Sequence, residues 1–371
     1  MLRRERRYWT QRVFFLTAAA AVACLTATPS GVAQAQQTST QQQPPKIARA
    51  SAPAASPAPT GKAPVGTPVV APEADQLAGL PPYLPKSPVK GELILAGSSA
   101  MSQMALLWAD GLKRIHNEAK IEVKTFESGQ VLESLGKNEM QVGLMSRPLT
   151  EQELKTGGIL AVPTAKDVLG IVVNAANPLD QLSLPQGMAL LREPKSAGDH
   201  GATTWGELGL KGEWAQAPIH LYGRESGSGA WGYLVNRFLG AGATSRQQTE
   251  CGSYAELCQK VAQDRSGVGY VSLALGPANP GKVLALATTA GDVVAAPRAN
   301  EPVDPRYPLV RELFIVFKWK EGQPLSPVAN ELLQYVLSRS GQEDAVKAGL
   351  IPLRRDEVLA SRDQLGWTGV R

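Results

Sequence analysis

The chain has 371 residues, 43% of them hydrophobic and 19% charged, with a formal net charge of +5. That much apolar material builds one large domain or two ordinary ones and excludes a chain disordered throughout. The excess of positive charge sits in the first dozen residues, so it gives little support to nucleic-acid binding, which needs a basic face on the folded part.

The chain opens "MLRRERRYWTQRVFFLTAAAAVACLTATPSGVAQA": a basic start, an apolar run from Val13 to Leu25, and the small-residue pattern Ala33-Gln34-Ala35. This reads as a secretory signal peptide over residues 1–35. The apolar run is shorter than the roughly 20 residues that a span of about 30 Å requires. Cys24, preceded by Ala21-Val22-Ala23, leaves a lipid anchor open as an alternative to simple cleavage. Cleavage removes five arginines (Arg3, Arg4, Arg6, Arg7, Arg12) and Glu5, which takes the formal charge from +5 to +1. Two of the three cysteines, Cys251 and Cys258, then remain, and in an oxidising compartment they are expected to pair. The three histidines are His116, His200 and His220, none beside the cysteines, and no metal site is expected.

Residues 36–88 are rich in Gln, Ala and Pro and hold 12 of the 28 prolines, which predicts an extended tether. Beyond it, strand-like and helix-like runs alternate. "ELILAG" precedes "MSQMALLWADGLKRIH", in which Met101, Met104, Trp108, Leu112 and Ile115 recur at helical spacing. "KIEVKTF" precedes "VLESLGKNE", "VGLMS" precedes "TEQELKT", and "DVLGIVVN" follows. A second set comprises "IHLYG" before a helix near Ala230, then "AELCQKVAQ" and "VGYVSLAL". A third holds "RELFIVFK" and the amphipathic segments "VANELLQYVLSRS" and "GQEDAVKAGL". The alternation predicts an α/β fold with a largely parallel sheet.

Three Gly/Ser turns stand between a strand and a helix: Gly97-Ser98-Ser99, Ser128-Gly129, and Ser226-Gly227-Ser228-Gly229. Free N–H groups at a helix start, helped by serine hydroxyls, make an anion site, although a serine in such a place also caps its helix. Arg147 and Arg224 fall at the ends of strand-like runs, where ligands of open α/β sheets sit. Neither Ser226 nor Ser228 has the flanking glycines of a hydrolase elbow, and no G-x-x-x-x-G-K-[ST] loop occurs. An enzyme is therefore not expected, and no cofactor is called for.

In order along the chain, "ILAGSSAMSQMALLWADGLKR", "VGLMSRPLTEQEL", "DVLGIVVNAANPL", "TTWGELGLKGEW", "YGRESGSGAWGYL", "DRSGVGYVSLAL", "YPLVRELFIVF" and "LLQYVLSRSGQEDAVKAGLIPL" resemble landmarks of the periplasmic phosphate-binding proteins of ABC importers. The likeness covers Gly91 to Leu353. It implies a two-lobed periplasmic binding-protein fold, type II-like, whose hinge the chain crosses twice. One lobe would take residues 89–176 and 307–371, the other 177–306. Carried over by position, the ligand-binding residues would be Ser98, Ser99, Ala100, Ser128, Ser146, Arg147, Arg224, Ser228, Gly229 and Ala230. Arg224 would supply a charge-assisted fork; Arg147 could instead brace the lobes. The partners so implied are phosphate or a related oxoanion and a membrane permease, with no nucleic acid, for a monomer outside the cytoplasm.

Ala100 and Ala230 stand where the family commonly has threonine, and Ser99 or Ser146 where it often has an aspartate that accepts the proton of phosphate. Serine discriminates less well than a carboxylate, so sulfate stays open, with Glu127 and Glu225 as replacement acceptors. A ligand-sensing or scaffolding module with the same fold is the alternative to transport.

Overall fold

The computed structural model describes residues 77–126, 128–193, 201–240, 244–277, 280–288, 291–297, 302–320 and 322–367. The expected signal peptide, the Cys24 anchor, most of the tether and Glu127 lie outside them.

Along the chain the elements are β1 (Gly91–Gly97), α1 (Ser102–Ile115), β2 (Ala119–Thr125), α2 (Val131–Gly136), β3 (Val142–Met145), α3 (Glu151–Thr156) and β4 (Ile159–Val173). Then come β5 (Gln181–Leu182), α4 (Leu184–Leu191), β6 (His220–Gly223), α5 (Gly229–Leu239), β7 (Thr249–Glu250), α6 (Tyr254–Gln263) and β8 (Gly267–Ser272). The remainder are β9 (Lys282–Val283), β10 (Ala285–Ala287), β11 (Val293–Val294), β12 (Val310–Lys318), α7 (Pro327–Val336), α8 (Arg339–Lys347), β13 (Ile351–Pro352) and α9 (Arg355–Gln364).

The main sheet runs β2-β1-β3-β12-β4-β8-β6-β7, with β9 and β13 also paired to β4. β1 is parallel to β2 and β3, and β6 is parallel to β7 and β8. β4 is the long element that joins the two halves. Its first part pairs antiparallel with β12, from Ile159 opposite Lys318 to Val168 opposite Val310, and its second part, Leu169 to Val173, pairs with β8. The sequence reading caught only the second part. Pro163 hides the first, because proline donates no ladder hydrogen bond; it sits where the register shifts between Leu313 and Phe314, a place a sheet tolerates it.

Two large apolar cores flank this strand. One is built from residues between Leu80 and Ala165 together with Leu313 to Val358, the other from Val168 to Leu309. The chain thus passes from one core to the other at Val168 and returns at Leu309, as a hinge crossed twice requires. In the first core α1 buries Met104, Trp108 and Leu112 against α8, and the Trp108 indole donates to Gly341 O at 3.1 Å.

The end of the proline-rich stretch does not stay extended as far as Pro88. Leu80 is buried in the first core, Pro81 O accepts from Arg339 N at 2.8 Å, and the Tyr83 hydroxyl donates to Glu331 Oε2 at 2.7 Å. Proline density outweighed these two apolar anchors in the sequence reading, yet they hold this strap on the fold.

Candidate functional site

Four turns converge, each at the carboxyl end of a strand in a parallel pair, where an α/β sheet leaves its loops free to meet a ligand. After β1, Gly97 takes φ +143°, and a side chain there would overlap the backbone of Leu144, so glycine is required for the turn to pass so close. Ser98 follows, buried, its hydroxyl accepting from Ala100 N at 3.3 Å and donating to Ser146 Oγ at 2.8 Å. Ser146, after β3, is 1% exposed. Its N–H donates to Ser128 Oγ at 3.3 Å, and the two hydroxyls lie 3.4 Å apart. Ser98, Ser128 and Ser146 thus form one buried cluster on the side of the first core.

The second core supplies the opposing wall. Ser228 caps α5, accepting from Trp231 N at 3.3 Å, and the N–H groups of Gly229 and Ala230 in the first turn have no acceptor within the helix. A side chain at Gly229 would overlap both Ser146 Oγ and Ser128 Oγ. The walls also touch through Gly129 N, which donates to Gly227 O at 3.2 Å. This is a closed arrangement, with the helix start of α5 laid directly on the serine cluster.

Arg224 is buried beside this contact. Its Nη1 donates to Cys251 O at 3.2 Å, Nη2 lies 3.1 Å from Glu225 Oε2, and the guanidinium stands 5.8 Å from the Tyr254 ring centroid. Its backbone N–H donates to the Tyr270 hydroxyl at 2.9 Å. Burial pushes the Tyr254 phenol up to about 12, against the pull of Arg311 and Arg224, so it stays neutral at physiological pH.

Not every expected residue joins the cluster. Ser99 is exposed, and Ala100 is buried without a polar side-chain atom. Arg147 turns its fork to Glu153, at 2.8 and 2.7 Å, while its stem lies against Gly232 of α5. Its fork is thus engaged by Glu153 and Pro148 and not by the serines. Ser226 donates to Glu250 from its N–H and hydroxyl, at 2.9 and 2.7 Å. The expected disulfide is absent: Cys251 and Cys258 are free, buried thiols. Cys258 packs into the core under α6, and burial raises both thiols, Cys258 to about 11, which keeps them protonated and unreactive.

The sequence reading missed Arg311 and Asp167. These face each other across β12 and β4, both essentially without solvent exposure, and form an ion pair at 2.8 Å. Arg311 Nη1 also donates to Ser146 O at 3.2 Å and Ser146 Oγ at 3.1 Å, and Asp167 Oδ1 accepts from Ser272 at 2.8 Å. The available signal was a pair of charged residues leading each of two apolar runs, Lys166-Asp167 in "KDVLGIVV" and Arg311-Glu312 in "RELFIVF", of which one member of each is buried and so needs a partner.

Arginine, helix-start N–H groups and serine hydroxyls around one spot hold hydrogen-bond donors in excess, the chemistry of an oxoanion cradle. Among the described residues no group of acids, histidines and cysteines is arranged to hold a metal ion, and no helix is long and apolar enough to cross a membrane.

Comparison with known proteins agrees with this geometry. The family model for the PBP superfamily domain matches residues 84–340. The phosphate-binding protein PstS of Pseudomonas aeruginosa is 32% identical over 281 residues, 74% of this chain and 87% of that protein. An ABC-type phosphate transport receptor from Vibrio cholerae has a TM-score of 0.57 at 20% identity, covering 70% of this chain and 100% of that one. A putative phosphate ABC transporter substrate-binding protein from Clostridium perfringens, solved with bound phosphate, has a TM-score of 0.55 at 22% identity, over 71% of this chain and 100% of that one. At such identities the two structures speak to the fold alone. Family model, relative and fold together place this chain in the PBP superfamily, in the family of the phosphate-binding protein PstS.

Proposed function

We propose that the chain is an extracytoplasmic solute-binding protein that captures inorganic phosphate between its two lobes and delivers it to the permease of an ABC importer, without turning it over. The observation that carries this reading is the seating of Gly229, at the start of α5, on the Ser128 and Ser146 hydroxyls, with buried Arg224 alongside. Donors from both cores then close on one anion. The kinship with a protein named for phosphate binding supports phosphate among oxoanions.

In this reading Ser128 and Ser146 donate from one lobe, with Ser98 giving its hydrogen to Ser146 behind them, and Arg224, Ser228 and the N–H groups of Gly229 and Ala230 donate from the other. On the same reading the lobes divide where the cores change over, between Ala165 and Val168 and between Val310 and Leu313. Export by the leader, the free or lipid-anchored state and a monomeric form belong to the same proposal.

Calorimetric titration of the mature chain, stripped of endogenous ligand, with phosphate and then sulfate tests it. Phosphate should bind, and Arg224→Ala should weaken it by about a hundredfold or more, the cost of a lost charge-assisted fork. Binding of neither anion would return the chain to a sensing or scaffolding role.

A further inference from the structure

Two observations single out Arg311. It is 1% exposed, and besides a side-chain contact with Tyr254 it donates from Nε and Nη2 to Asp167 Oδ2, at 3.0 and 2.8 Å, and from Nη1 to Ser146 O and Oγ, at 3.2 and 3.1 Å. Ser146 Oγ in turn accepts from Ser98 Oγ at 2.8 Å as well as from Arg311. A serine oxygen has two lone pairs and one hydrogen. With both lone pairs engaged, Ser146 has only its O–H left to offer, and a neighbouring Ser128 hydroxyl 3.4 Å away holds it loosely.

We propose that Arg311 is a positioning residue for ligand recognition: it holds Ser146 as a compulsory donor, so that the oxygen of the oxoanion facing Ser146 must be a bare one, which disfavours the more protonated form. This rests on the phosphate reading above and goes beyond it by assigning the ionisation state that the site selects. Phosphate crosses between monoanion and dianion near neutrality. The dianion presents three bare oxygens and one hydroxyl, the monoanion two of each. A second P–OH turned to Ser146 would meet a donor, and an unpaired buried polar group is costly.

Asp167 and the phenols of Tyr233, Tyr254 and Tyr270 are titratable groups set around Arg311 and Ser146. Asp167 on β4 is the counter-ion, and Arg224 with Glu225 lies beyond Tyr254. Burial raises the phenols of Tyr233 on α5, Tyr254 on α6 and Tyr270 on β8, Tyr254 to about 12. Arg311 remains charged, because Asp167 outweighs the effect of burial. The pH dependence therefore comes from the ligand and from the rule the wall imposes on it.

The experiment is phosphate titration by calorimetry in mildly acidic, neutral and mildly alkaline buffer, on the wild type, Ser146→Ala and the double variant Arg311→Gln/Asp167→Asn, with thermal unfolding of each. The double variant avoids an unpaired buried charge, and Ser146→Ala leaves the ion pair in place should the double variant fail to fold. Wild-type affinity should rise as the dianion forms. Ser146→Ala should lose about tenfold in alkaline buffer, in proportion to one hydrogen bond to a charged group, and less in acid, giving a flatter profile; the melting temperature falls somewhat with the acceptor lost to Ser98 and Arg311, a change that would not by itself alter the pH profile. The double variant, if folded, should flatten in the same way. Variants that weaken binding equally at every pH, or keep the wild-type profile, would overturn the role of Arg311 while leaving phosphate capture standing. A wild type that binds no phosphate at any pH would overturn both.

Discussion

Glu225 stands next to Arg224 with its Oε2 turned inward, 3.1 Å from Nη2 and otherwise without a hydrogen-bond partner. Under the proposed phosphate reading, and among the described residues, it is a carboxylate that would accept the remaining P–OH, since Asp167 is engaged by Arg311 and Ser272. Sulfate, with no proton to give, would face that carboxylate unpaired. Glu225→Gln is expected to narrow the preference for phosphate over sulfate by about tenfold or more, measured by competition titration. Arg147 belongs to a different chemistry. Burial pushes Glu153 up, but the Arg147 fork and the Thr150 N–H and hydroxyl pull it down further, and its net shift is below the usual glutamate value. A carboxyl held low in the folded state contributes stability above its unfolded pKa and loses it as pH falls through the folded one. The melting-temperature deficit of Glu153→Gln should therefore be full at neutral pH and vanish in acid; a deficit constant with pH would contradict the pairing. Of these residues, Arg224 and the serines were legible in the sequence because Gly/Ser turns after strands announce free N–H groups. Arg311 was not, because its partner Asp167 is 144 residues away and only the β4–β12 register brings them together.

At the level of elements, the strands that alternate with helices were readable from short apolar runs, and β1, β2, β3, β6, β8 and β12 form where such runs stand. What escaped was the reach of β4, interrupted for the reader by Pro163, and the strap at Leu80 and Tyr83, hidden among prolines. Both depend on partners distant in sequence, which local propensity does not report. The turn after β1 makes a sharper demand. Because Gly97 has φ +143° and no room beside Leu144, Gly97→Ala should destabilise the fold by about 3 kcal/mol or more, read from denaturant unfolding. A loss under about 1 kcal/mol would mean that the β1 turn relaxes away from β3, against the close approach seen here. The start of α5 is constrained across the cleft instead. Gly229→Ala should weaken phosphate binding by about a hundredfold, since the added methyl would overlap Ser128 and Ser146 in the closed arrangement described above.

The whole molecule consists of two apolar cores joined through β4 and β12, with the serine cluster on one side and Arg224 and the α5 start on the other. Neither side is a complete cradle, and closure completes it. That account is tested most directly by hydrogen–deuterium exchange with and without phosphate. It predicts that phosphate slows exchange together in the turns at residues 97–101, 128–131 and 145–147 and in residues 224–231, and that Arg224→Ala abolishes the protection on both sides. Protection confined to one side, or appearing elsewhere while these turns stay unchanged, would contradict capture of the anion between the lobes.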